Sequence, residues 1–146
     1  METIKEVKTT TKINATKGEF VNLVNGLFAV QELKGKKFGL VVSKNIATIQ
    51  EALQDLADAG KPSPEFLKLA EEVNAIAEKN EDDAKDQIKK LEEDNQELVD
   101  ARRKQMKDLE ETMKETTDIE LNVISESLLP ESVTAKQITA LIKIID

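Results

Sequence analysis

Three lysines and an asparagine are the groups in this sequence best suited to binding chemistry: Lys36, Lys37, Lys44 and Asn45. They fall where apolar residues recur at steps of three and four, which predicts a helix over residues 36–59. Residues spaced like Lys37 and Lys44 lie on one side of a helix, two turns apart. Their ammonium groups and the Asn45 amide could bind a phosphate-bearing ligand. The structural alternative, which we favour, pairs Lys44 with acidic side chains and has Asn45 cap or bridge helices.

The net charge of −8 is distributed unevenly along the chain. Residues 1–61 have a net charge of +2, residues 62–116 of −7 and residues 117–146 of −3. An acidic chain repels nucleic acid, so nucleic acid is not an expected partner. An anionic ligand would need a local positive focus, and the N-terminal part supplies it.

The sequence contains no histidine and no cysteine, which excludes Ser-His-Asp and Cys-His nucleophiles and the usual zinc sites. No constellation of Asp, Glu, Lys or Ser stands out either, so we expect no catalytic activity, no cofactor and no metal. The acidic residues after Asn80 fit a solvated helix face better than a divalent-metal site. No segment is apolar enough to span a membrane, and the N-terminal stretch lacks the apolar core of a signal peptide.

The elements that must position these groups are organised around a predicted long helix over residues 63–116, with Ser63 as N-cap and Pro64 at its first position. A bend near Asn80, or an unbroken helix, is favoured over two separate helices. Its apolar stripe is longer than the helix 36–59 can cover, which predicts a homo-oligomer with coiled-coil character. Asn95 lies on this stripe between Leu91 and Leu98. It either fixes the register in which the helices pair or lies where the stripe is exposed to solvent. The predicted interface residues are Leu91, Asn95, Leu98, Met106, Leu109 and Ile142.

The remaining elements are shorter. Alternating β-branched residues predict strands over residues 1–14 and 118–124, which we expect to pair with each other. Capping boxes predict helices over residues 16–33 and 134–146. The expected fold is mainly α in a single domain, 1–146. It comprises a helical hairpin with one long helix, a short two-stranded β element joining the N- and C-terminal parts, and a short C-terminal helix.

Three segments resemble a family of small, largely uncharacterised helical proteins encoded by tailed phages and prophages. The first is Asn22-Leu-Val-Asn-Gly-Leu27, followed by Leu33, Lys36 and Lys37. The second is Val41-Val-Ser-Lys-Asn-Ile46 with Ile49, similar to a lysine-asparagine helix of that family. The third is residues 115–145, where a polar-to-strand switch leads to a loop and an apolar helix. Residues 62–114 differ from the family pattern.

The resemblance implies a ligand-binding role for Lys44 and Asn45, and more weakly for Lys37. It also implies a phage protein that acts in the host cytoplasm, with itself and either a small anionic nucleotide or a host defence protein as partners. We expect a homo-oligomeric binding protein with a counter-defence role, which sequesters a signalling nucleotide or blocks a host protein. The alternative is a structural component of the virion or of tail assembly that uses its long helix as a joint.

Overall fold

A computed structural model describes residues 9–146. The chain is mainly helical and includes a two-stranded antiparallel sheet and a short C-terminal helix, as the sequence predicts. It divides into a sheet unit, which contains the chain up to Asp55 together with Met113–Asp146, and a helical unit, Leu56–Thr112. The elements are β1 (Thr10–Thr16), α1 (Lys17–Ala29), α2 (Lys36–Ala52), α3 (Gln54–Ala59), α4 (Pro64–Lys79), α5 (Ala84–Asp94), α6 (Gln96–Met113), β2 (Thr116–Asn122), α7 (Ala135–Leu141) and 3₁₀ turns at Glu126–Leu128 and Ile142–Ile144.

The two strands of the sheet unit pair in the way that their alternating sequences predict. β1 runs antiparallel to β2, with Ile13 opposite Ile119. The inward-facing residues of β2, Ile119 and Leu121, are buried, whereas Glu120 between them is exposed. This alternation fixes the register, because a slip by one residue would expose the whole apolar set. The predicted strand over residues 1–14 lies in part outside the described residues.

In the sheet unit α1 and α2 pack against the sheet and against each other, and α7 packs against α1. α1 begins at the predicted capping box: the Thr16 hydroxyl accepts from the Glu19 N–H, and the Glu19 carboxylate accepts from the Thr16 N–H. α1 ends at Ala29, before the predicted position 33, in a turn whose Val30 is buried. α2 is broken from α3 at Leu53, so the predicted helix 36–59 is two helices. The fully buried core side chains of this unit include Phe20, Leu27, Phe38, Ile49, Leu121, Ile124, Leu141 and Ile144.

The C-terminal segment is a shorter helix than predicted. Thr134 and Gln137 form its capping box, and α7 ends at Leu141. After the 3₁₀ turn the chain becomes extended, and Ile145 forms a parallel bridge with Ile124, two residues after the end of β2. There the Ile124 N–H donates to the Ile144 carbonyl at 2.7 Å, and the Asp146 N–H donates to the Ile124 carbonyl at 3.0 Å. Backbone groups at an open sheet edge are therefore paired at this point.

The helical unit differs most from the prediction, because residues 63–116 form three helices. Ser63 caps α4 as expected, by accepting from the Phe66 N–H. α4 ends at Asn80, which adopts the left-handed conformation with φ 48° and ψ 42°. Asparagine tolerates this conformation better than most residues, so α4 ends at Asn80, where the sequence favoured a bend or an unbroken helix. A further break at Asn95 separates α5 from α6.

Contacts within the helical unit show that the chain reverses between α4 and α5. Near the start of the unit, the Arg102 guanidinium donates to the Gly60 carbonyl at 2.9 Å and lies 5.7 Å from the centroid of the Phe66 ring. Further along α4, Leu69 lines a cleft together with Leu98. Positions further along α4 therefore lie beside earlier positions of the segment formed by α5 and α6. This segment thus runs antiparallel to α4. The apolar period survives this reversal, because each limb keeps the same helical spacing.

Candidate functional site

The position of α2 is set by its buried face. Phe38, Val42 and Ile49 are at most 1% exposed, and they recur at the helical spacing that places them on one side. The helix begins after Gly35, whose φ of 140° favours glycine because it lacks a Cβ. These constraints fix which side of α2 faces solvent, and that side carries the lysines.

The solvent-facing side of α2 brings together three of the predicted ligand residues. Lys36, Lys37 and Lys44 are all exposed, and Leu40 lies between them with 52% of its surface exposed. Leu40 is four residues from Lys36, three from Lys37 and four from Lys44, so all three lysines lie within one turn of it. We call these four residues the basic face. No carboxylate within the described part of the chain forms an ion pair with its lysines.

Asn45 points away from the basic face and is fully buried. Its amide nitrogen donates to the Asn122 carbonyl at 2.9 Å, and its amide oxygen accepts from the Asn122 N–H at 2.8 Å. Asn122 is the last residue of β2, and these two bonds satisfy its backbone on the side away from β1. The amide is therefore occupied within the fold, where it joins α2 to β2 and does not cap a helix or bridge two helices as the structural alternative expected, so Asn45 is not part of the basic face.

The predicted interface residues of the helical unit are partly exposed to solvent. Leu91, Leu98 and Leu109 are half-buried, and Met106 is 44% exposed. Asn95 is also half-buried, but its amide donates to the Leu91 carbonyl at 2.9 Å within the helix, so it serves the break between α5 and α6. Within the helical unit Leu69 is the only buried side chain. Ile142 is 58% exposed and belongs to the sheet unit, so the structure gives no reason to group it with these residues.

A second concave surface, which the sequence did not indicate, lies between α1 and α7 in the sheet unit. Its volume is about 240 Å³, and its floor includes Phe20 and Leu23. At its rim the Lys143 ammonium donates to the Glu19 carboxylate at 2.7 Å. This contact, helped by the Thr16 N–H, holds the pKa of the Glu19 carboxyl below its usual range. The capping box marked Glu19 in the sequence, but nothing there indicated its partner 124 residues away.

Among residues 9–146, no group of three carboxylate, histidine or cysteine side chains is placed to hold a metal ion. None of the described helices combines the length and apolarity that a membrane crossing requires. Comparison with known proteins found no matching family model, no matching curated protein and no matching solved structure. The resemblance to phage proteins therefore stays a prediction.

Proposed function

We propose that this chain is a non-catalytic binding protein that takes a phosphate-bearing ligand on the basic face of α2. The observation that carries the proposal is a local excess of positive charge. Residues 33–50 contain four lysines and no acidic residue, in a chain whose net charge is −8. An anion repelled by most of the surface would be attracted to this segment.

Two lysines elsewhere in the sheet unit have an internal partner, which the lysines of the basic face lack among the described residues. Lys17 pairs with Glu115 at 3.1 Å, and Lys143 pairs with Glu19 at 2.7 Å. Among the described residues, the lysines of the basic face have no such ion pair. Their ammonium groups are therefore available to an external anion without the cost of breaking a contact.

The start of α2 adds to the attraction for an anion. Its first turn contains no acidic residue, and Gly35 supplies no side-chain cap for the free N–H groups. Lysines near a helix N-terminus are disfavoured by the helix dipole, which is positive at that end. A bound phosphate would offset this repulsion and accept hydrogen bonds from the same N–H groups. Local energetics alone would not select Lys36 and Lys37 at this position.

The exposed side chain of Leu40 indicates which phosphate-bearing ligands would fit the basic face. This side chain lies within one turn of each lysine of the basic face and offers an apolar contact beside the charges. A nucleotide matches this combination, since its phosphates can meet the lysines while its base covers the leucine. Capture of a signalling nucleotide would be a counter-defence activity in the phage setting that the resemblance implies.

Isothermal titration calorimetry tests the proposal with a panel of cyclic and linear nucleotides and with inorganic phosphate. We expect at least one nucleotide to bind, and its affinity to fall as salt is raised. Lys44→Ala should weaken that binding by roughly tenfold, the effect of losing one charged hydrogen bond. Leu40→Ser should weaken nucleotide binding more than phosphate binding.

Lys136→Ala is the matched control, because Lys136 is another exposed lysine of the sheet unit, away from α2. It should bind as well as the unaltered chain. If no nucleotide binds, or if Lys44→Ala binds normally, the proposal is refuted. The structural role in a virion or in tail assembly then becomes the better hypothesis, and assaying purified particles for the protein tests it.

A further inference from the structure

The charges of α5 and of the first residues of α6, which follow the break at Asn95, change from mainly basic to acidic at Leu91. Before it, residues 85–90 carry three lysines and one aspartate; after it, residues 92–97 carry four acidic residues and no basic one. The helical spacing places Lys85, Lys89 and Glu92 along one flank of the apolar stripe. The other flank carries the same order, with Lys90 followed by Asp94 and Glu97.

This order is not explained by contacts inside the chain. All six of these flank charges are exposed, and none forms an ion pair with another residue of the described range 9–146. Lysine placed before an acidic residue at a spacing of four is also the weaker orientation for a pair within a helix. Lys90 and Asp94 have this orientation. Asp86 lies four residues before Lys90 in the favourable orientation, so the weaker orientation applies to Lys90 and Asp94 and not to the whole helix.

The apolar stripe between the flanks is only partly covered. Ile88 and Leu91 are half-buried, and Leu69 is the sole buried side chain of the helical unit. Two antiparallel helices cannot enclose such a stripe from both sides, whereas four helices can. A second pair of helices would complete the burial.

We propose that the partner is a second copy of this chain, with the two α5 helices packed antiparallel about a two-fold axis near Leu91. Antiparallel pairing brings each flank against the same flank of the other copy. Lysines before Leu91 then meet acids after Leu91 of the partner, and each contact occurs twice because the interface is two-fold symmetric. Parallel pairing would instead set lysines against lysines and acids against acids. The charge order therefore specifies both the partner and its direction.

The test measures mass by light scattering at micromolar concentrations, with no ligand present. We expect the unaltered chain to show twice its mass of 16.3 kDa and to dissociate more readily at high salt. The double variant K89E/K90E, and separately E92K/D94K, should weaken dimerisation by about tenfold or more, because positions 89, 90, 92 and 94 then all carry one sign of charge and repel the same positions of the other copy. The fourfold variant K89E/K90E/E92K/D94K should dimerise like the unaltered chain, since its charge order is inverted but still self-complementary.

Mixing K89E/K90E with E92K/D94K supplies a second measurement, which holds even if a variant alone loses helix. One copy then carries acidic side chains at positions 89, 90, 92 and 94 and the other carries basic ones there, so a mixed dimer should form. A monomer mass for the unaltered chain overturns the proposal. So does a dimer that neither double variant weakens, or a mixture that forms no mixed dimer. A fourfold variant that stays monomeric while it is fully helical refutes the antiparallel direction.

Discussion

Replacement of Asn45 tests the most constrained polar contact of the fold. Asn45→Ala removes all three side-chain hydrogen bonds to Asn122, and the loss of two of them leaves a backbone N–H and a carbonyl without their partners. The residue is fully buried, so water cannot replace the amide without opening the structure. Loss of partners at two such groups costs about 2–4 kcal/mol of unfolding free energy, allowing for Asn122 being only half-buried. That is a large share of the roughly 5–15 kcal/mol that stabilises an ordinary domain.

Asn45→Asp affects the two hydrogen bonds to the Asn122 backbone differently. An ionised carboxylate can still accept from the Asn122 N–H, but it repels the Asn122 carbonyl, which now receives a donor at 2.9 Å. A protonated carboxyl can donate to that carbonyl and restore both bonds. The folded state therefore favours the protonated form and raises the pKa of the introduced group, so this variant should recover stability relative to the unaltered chain as pH falls.

Urea unfolding followed by far-ultraviolet circular dichroism measures these changes, since the chain has no Trp or Tyr for fluorescence. Hydrogen exchange at the Asn122 amide reports the same contact directly and should accelerate in Asn45→Ala. Lys44→Ala is the control, because the neighbouring side chain is exposed and should change stability by less than about 0.5 kcal/mol. An Asn45→Ala variant as stable as Lys44→Ala, with unchanged exchange at Asn122, would refute the bridging role.

Three further outcomes are expected from the sheet unit. Gly26→Ala should lower the free energy of unfolding by about 1–3 kcal/mol, because the added Cβ would lie 3.0 Å from an atom of α7. At Gly39 an added Cβ would meet nothing within 4 Å, so Gly39→Ala should stabilise α2 by about 0.5–1 kcal/mol; thermal unfolding measures both changes. Leu141→Ala should cost about 2–5 kcal/mol in urea unfolding, whereas Ile142→Ala, at a position 58% exposed, should cost little. The lowered pKa of Glu19 means that its contribution to stability is present above its ordinary value of 4.5 and is lost as pH falls through the lower folded pKa. Glu19→Gln should therefore make the free energy of unfolding fall less steeply as pH is lowered in the acid range. An equally steep fall in Glu19→Gln and in the unaltered chain would contradict this.

Local signals predicted the beginnings of elements well. Thr16, Ser63 and Thr134 each cap a helix where the sequence places one, because a cap involves residues only three positions apart. The two strands were also predictable, since alternation is a local property and two lone strands need each other.

Apart from the pairing of the two strands, contacts between distant residues were not predictable. The partner of Asn45 is a backbone group 77 residues away, so no side-chain pattern marks it. The reversal at Asn80 was missed for a different reason: a stripe of period 3.6 continues equally well through a straight helix and through two antiparallel limbs. Helical spacing predicted that Lys37 and Lys44 lie on one side of α2. The favoured pairing of Lys44 with acidic side chains of the long helix is not seen, since no carboxylate among the described residues pairs with it.

The pairing of β1 with β2 has a consequence for synthesis of the chain. Asn14 and Asp118, which face each other across the sheet, are 104 residues apart, and the whole helical unit lies between them in sequence. At ribosomal rates of roughly 5–20 residues per second, β1 waits about 5–20 s before its partner strand is made. During that time its backbone edge can pair with other chains. The exposed Lys12 and Asn14 on β1 keep one side of the waiting strand polar, which limits aggregation before the sheet closes.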